Sequence, residues 1–195
     1  MKSGGKMVMA VLAVWFCLAL GVGFTGWFGG ASALAVAATV WILTALALLL
    51  CWKAPGLNRW LWLVDLRWLI GLHLIRFVAG VCFLRDARAG ILSPAFALPA
   101  AYGDMAVALL AALILIIPGI ARTRGLVLFW NGLGLFDILF VVSNALRVGL
   151  RDWPGMAPLR EFPLVLLPTF LVPLVIASHV LIFVRLGIRG RIAPQ

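Results

Sequence analysis

No Asp, Glu, Lys or Arg occurs between Met7 and Trp52, a run of 46 positions that is almost wholly apolar. A helix needs about 20 residues to cross ~30 Å of hydrocarbon, so this run predicts two spans. Gly26, Gly29 and Gly30 mark the break, because glycine lets the chain turn freely. Four further apolar runs follow, separated by Pro, Gly and basic residues. The pattern predicts helices over 7–28, 31–52, 60–84, 99–120, 125–147 and 163–186, with 53–59 read as a loop around its Pro-Gly pair. The fold class this implies is all-α, a polytopic membrane bundle of six transmembrane helices forming a single transmembrane domain over 1–195.

Composition sharpens the picture by exclusion. The 195-residue chain is 65% hydrophobic and 11% charged, with a mean hydropathy of +1.18. Soluble domains are nearer ~45–50% apolar and ~25% charged, and disordered chains are poor in apolar residues. Both classes are excluded. A net charge of +10 could point to nucleic acid, but the basic residues punctuate the apolar runs and do not form a patch, so no nucleic-acid partner is expected. Their distribution instead sets orientation. With the N-terminus inside, Lys2, Lys6, Lys53, Arg59, Arg122, Arg124, Arg185, Arg189 and Arg191 lie inside, against Arg85, Arg88, Arg147, Arg151 and Arg160 outside. Nine against five places both termini in the cytoplasm. Ala31-Ser32-Ala33 has the small-x-small form of a signal-peptidase site. The apolar stretch before it exceeds the usual ~7–15 residues, so the first helix reads as a retained span; cleavage would leave five.

Soluble-type chemistry has no foothold. There is no GxxxxGK[ST], HExxH or GxSxG, and no GxGxxG followed by an acid. Cys17, Cys51 and Cys82 fall at different depths and form no CxxC, so they read as apolar packing residues, not as a disulfide, a redox motif or a zinc site. No catalytic residue and no metal site is assigned, and an enzyme is the weaker reading. Gly26 and Gly30 form a GxxxG, which the turn itself explains.

The informative residues are the ionisable ones at membrane depth, where each charge at mid-helix costs about 2.5–3.5 kcal/mol on insertion scales and is normally paired inside the bundle. At roughly 100° per residue, Asp65, His73 and Arg76 share one stripe of the third helix, whereas Arg67 lies opposite and reads as a residue that snorkels to headgroups. Trp130, Gly134, Asp137, Val141 and Asn144 form a seam on the fifth helix, with Asn131 to one side. Asp104 sits in Tyr102-Gly103-Asp104 near the outer end of the fourth, and His179 shares a face with Pro168 on the sixth. Depth favours Arg76 bonding Asp104, Asp137 or both, since a guanidinium fork serves two carboxylates. The candidate ligand or proton pathway is therefore Arg76, Asp104 and Asp137, with His73, Asn131 and His179 as secondary contacts. The competing reading is that these charges only hold helix packing in register.

Two intramembrane histidines also raise a b-type haem ligated by His73 and His179. Counted at 1.5 Å per residue, His179 falls some 6–8 Å nearer the cytoplasm than His73, an awkward mismatch for one haem; no cofactor is the primary expectation. Pro163, Pro168 and Pro173 recur every five residues on the sixth helix and free backbone carbonyls, which at membrane depth must meet protein, polar side chains or a wet cavity.

Trp-Asn-Gly-Leu-Gly-Leu-Phe-Asp at 130–137, the proline-bearing sixth helix with His179, and Tyr-Gly-Asp at 102–104 resemble small multi-pass bacterial inner-membrane proteins of uncharacterised activity. The resemblance covers about the C-terminal half. It implies an inner-membrane location and no activity. The readings left open are a small transporter or membrane-embedded ligand-binding protein handling a small polar ligand or protons, a haem redox protein, and an accessory or assembly subunit. Beyond the lipid bilayer, the expected partners are a second copy of the chain or a larger membrane complex.

Overall fold

The computed structural model describes residues 2–192, with side chains described over 4–187. Among them no strand forms, and six helices are long and apolar enough to cross a membrane. In chain order they are α1 (Lys2–Phe24), α2 (Ala33–Lys53), α4 (Leu66–Arg88), α5 (Pro94–Ile116), α6 (Arg124–Gly149) and α7 (Val172–Ile192). A π-helical turn, Leu167–Leu171, leads into α7 and completes the sixth span. The short α3 (Pro55–Leu63) lies between the second and third spans. The protein is an all-α multi-pass membrane protein.

Exposure runs opposite to that of a soluble protein. Phe129, Phe136 and Ile116 are 71%, 71% and 74% exposed, whereas His73, Asn131 and His179 are 0% exposed. In lipid, apolar side chains have no reason to hide, and polar groups do.

The described residues form two compact units, 2–64 with 145–177 and 65–144 with 178–192. In the first, α3 packs on the start of α1: a Cβ on Gly4 would stand 3.1 Å from the Gly56 carbonyl and 3.2 Å from Trp60 Cβ. At the other end, Trp153 Nε1 donates to the Ala31 carbonyl (3.1 Å). Arg160 lies 4.4 Å over the Trp153 ring and donates to the carbonyls of Gly29 (2.8 Å) and Trp153 (3.2 Å). In the second unit, Leu69, Ile70, Val107, Ala111, Ile114, Val127, Trp130, Ile182 and Leu186 form a dry core drawn from four helices. The α5 face made by Ala97, Ala101, Asp104, Ala108 and Ala111 is buried and mostly small. Small residues let helix backbones approach in lipid, and on α4 a Cβ at Gly80 would meet the Ala101 carbonyl at 2.8 Å.

Several expected boundaries move, two of them because proline opens a helix and one because Asp65 caps one. The 53–59 loop is mostly helix: Pro55 stands at the first position of α3, where its missing N–H costs nothing. The expected third helix, 60–84, breaks at Val64 and Asp65 and continues to Arg88. Asp65 is exposed and caps α4, its carboxylate accepting from Arg67 N–H (2.9 Å), so it does not join the polar stripe. Ser93-Pro94 starts α5 five residues earlier than expected, and Pro99 lies inside it. Arg67 does not simply snorkel; its Nη2 donates to the Leu115 carbonyl in the last turn of α5 (2.7 Å).

Each interior proline leaves a carbonyl four residues back without its helical donor. Pro99 frees the Ala95 carbonyl, and Asn144 Nδ2 of α6 donates to it (3.1 Å). Pro173 frees the Thr169 carbonyl, and Trp15 Nε1 of α1 donates to it (2.9 Å). An indole and an amide from other helices replace the two lost donors. Asn144→Ala is therefore expected to lower stability in detergent by about 1–3 kcal/mol, the range for an orphaned buried acceptor. Pro99→Ala, which restores the N–H, should recover most of that loss in the double variant. Equal melting temperatures for Asn144→Ala with and without Pro99→Ala would refute the pairing.

Candidate functional site

Arg76, Asp104 and Asp137 each lie about one residue from the midpoint of their own helices, Leu66–Arg88, Pro94–Ile116 and Arg124–Gly149. Asp104 is thus central and not near the outer end, because α5 begins at Pro94. The three residues meet. Arg76 Nε donates to Asp104 Oδ1 (2.6 Å), Nη2 donates to Asp137 Oδ2, and Nη1 donates to the Gly134 carbonyl (3.1 Å). One guanidinium, 3% exposed, serves two carboxylates and a backbone oxygen from two helices. Side-chain exposure is 5% for Asp104 and 14% for Asp137, so Asp137 is the more open acid.

The histidines form a second layer. His179 Nε2 lies 3.5 Å from Arg76 Nη1, and its Nδ1 lies 2.8 Å from Asn131 Oδ1. Asn131 Nδ2 donates to the His179 carbonyl (3.0 Å), which fixes the amide orientation. Oδ1 must then accept, so the ring carries its hydrogen on Nδ1 and turns the Nε2 lone pair to the guanidinium. Asn131 thereby sets the tautomer that tolerates Arg76. His73 stands in a 3₁₀ turn, Leu72–Leu74, inside the third span. Its Nε2 is 3.0 Å from Ser178 Oγ, and its Nδ1 is buried with no partner among the described residues. Its ring packs edge-on to Trp130 at 5.0 Å and lies 4.2 Å from the His179 ring. The expected difference in depth between the histidines is absent. The third span starts later than the sequence pattern implied, and the π turn delays the sixth, so both histidines fall in the corresponding half of their spans.

Three residues gain importance that sequence reasoning did not assign to the site. Gly134 supplies a carbonyl to Arg76, and a Cβ there would press on His179 at 2.6 Å. At Gly103 a Cβ would overlap the Asp137 carboxylate. Gly134 already lay on the polar seam of the fifth helix and Gly103 beside Asp104, so a signal existed. Ser178 carried none, since its relation to His73 arises only from the meeting of α4 and α7. No group of three or more His, Cys, Asp or Glu among the described residues could hold a metal ion.

Electrostatically the cluster is unbalanced. Two carboxylates face one guanidinium, and neither meets a second cation among the described residues. With both acids ionised the site carries one surplus negative charge at mid-span. Removing Arg76 would leave two buried carboxylates uncompensated, so Arg76→Ala is expected to lose about 3–5 kcal/mol and most of its folded yield. Arg76→Met combined with Asp104→Asn and Asp137→Asn should restore a monodisperse peak on size exclusion, because no net charge then remains to bury. A single Arg76→Ala variant that folds like the parent protein would contradict this account.

No curated protein and no solved structure matches the chain. A family model does match, over residues 29–187, a stretch that includes every residue of the cluster. The chain belongs to the family described as Domain of unknown function (DUF8737).

Proposed function

We propose that the protein is a small transporter of the bacterial inner membrane, with both termini cytoplasmic, that exchanges a proton at the Asp104–Arg76–Asp137 cluster as it moves a small polar solute. The observation that carries this reading is the charge imbalance at mid-span: two carboxylates on one guanidinium. A purely structural ion pair needs one acid for one base. The second acid gives the cluster a place for a proton that balances its charge, and Asp137, the more open of the two, is the residue to take it. A polar solute that competes for Arg76 would displace a carboxylate and release or admit that proton. His179, with its lone pair turned to Arg76 by Asn131, and His73 beyond it extend the polar track through contacts between α4, α6 and α7.

Infrared difference spectra of purified protein between acidic and alkaline pH test the proton directly. Wild type is expected to show the C=O stretch of a protonated carboxyl, and both Asp137→Asn and Asp104→Asn should lose it, since each leaves a neutral Arg–Asp pair. A band that survives in both variants, or no band in wild type, would remove the proton site. In proteoliposomes loaded with a pH-sensitive dye, addition of a transported solute should shift internal pH with wild type and not with Asp137→Asn.

The contact of the His73 and His179 rings keeps one second reading in view, a haem between them. It would require the rings to part and both Nε2 atoms to leave Ser178 and Arg76. A Soret band in the purified protein, with α and β bands that sharpen under dithionite, would favour that reading; a colourless preparation from haem-replete cells would end it.

A further inference from the structure

Within the first unit, α1 and α2 leave a cleft of about 410 Å³ between them, lined by Val11, Trp15 and Leu18 on one side and Leu43, Leu46 and Leu50 on the other. The lining is wholly apolar, apart from the Trp15 indole N–H, which is taken by the Thr169 carbonyl. These two helices are also the least buried of the six spans. An apolar cleft in a membrane protein does not by itself say what fills it, but the end of this one does. The cleft begins one turn beyond Lys6 on α1 and one turn before Lys53 on α2. At that same end α3 packs on the start of α1, with Leu57 and Leu61 buried and Arg59 exposed. Lys6 and Lys53 are exposed too. The first 64 residues contain four basic residues and no acid, and the acids elsewhere in this unit, Asp152 and Glu161, stand at the opposite end with Trp153 and Arg160. Lys53 Nζ lies 5.9 Å over the Trp52 ring, and Trp60 and Trp62 flank Leu61 on α3; tryptophan is the residue type that settles at headgroup level.

We infer that this is a binding site for one anionic phospholipid, its acyl chain in the α1–α2 cleft and its phosphate on Lys6, Lys53 and Arg59. An acyl chain suits a slot that offers dispersion contacts and no hydrogen bonds, and a basic rim selects a negative headgroup; the next acid along the chain, Asp65, is engaged as the cap of α4, accepting from the Arg67 N–H. The α3 helix, lying where headgroups lie, presents Arg59 to that phosphate while Leu57 and Leu61 hold it to the protein.

Native mass spectrometry of the full chain, released from nanodiscs of mixed phosphatidylglycerol and phosphatidylcholine, reads the result. Wild type is expected to retain one phosphatidylglycerol in preference to phosphatidylcholine. Lys53→Gln and Arg59→Gln, both at exposed positions, should each reduce that preference about fivefold, and Ala47→Phe, at a position of α2 that also lines the cleft, should fill it without altering charge and reduce retention of both lipids. Equal retention of the two lipids by wild type, or retention unaffected by any of the three variants, would overturn the site. So would a change from dimer to monomer in Ala47→Phe with lipid unchanged, which would make the cleft a seat for a second copy of the chain.

Discussion

A guanidinium at the middle of a membrane-spanning helix has no water to meet, so its donors must all be answered by protein. Arg76 directs them to Asp104, Asp137, the Gly134 carbonyl and the Nε2 of His179. That demand reaches three helices beyond its own, and it explains the arrangement of the second unit better than apolar packing does. Lipid tails are as apolar as leucine, so hydrophobic burial gives helices little reason to prefer one another. A charge that must be satisfied gives a strong one. The dry core around Ile70, Val107 and Trp130 fills the space beside a contact that electrostatics has already specified.

The same rule acts on the backbone. Pro99 in α5 and Pro173 in the sixth span each strand a carbonyl in hydrocarbon, and each of these two oxygens finds a side-chain donor on another helix, Asn144 for Ala95 and Trp15 for Thr169. The proline therefore does more than bend a helix. It creates an acceptor that only a helix with a donor at the right depth can meet, which makes it a device for choosing neighbours. Arg67 plays a related part at the last turn of α5, where the Leu115 carbonyl lacks a helical partner.

Glycine supplies the remaining condition, closeness. Gly80, Gly103 and Gly134 all stand where a single Cβ would collide with a neighbouring backbone or with a site side chain. A carboxylate on one helix can reach a guanidinium on another only if the backbones between them come near. The charge cluster and the small residues are parts of one design. Its electrostatic consequence is a site with one more acid than base, at a depth where unbalanced charge is expensive.

Membership in the membrane, six spans and the residues of the charge cluster were legible in the chain itself. They follow from local properties: the length of uncharged runs, the rarity of acids within them, and the helical period that put His73 and Arg76 on one face. Element ends were less legible because proline reads as a breaker in sequence yet serves equally as the first residue of a helix, as Pro55 and Pro94 do. Moving those ends moved depths, bringing Asp104 to mid-span and His73 beside His179. The fork of Arg76 onto two carboxylates, the tautomer imposed by Asn131, the bond from Ser178 to His73 and the donors that answer Pro99 and Pro173 were decided only in three dimensions. Each depends on which helix faces which at a given depth, and a helical period carries the direction of a side chain without naming the residue across from it.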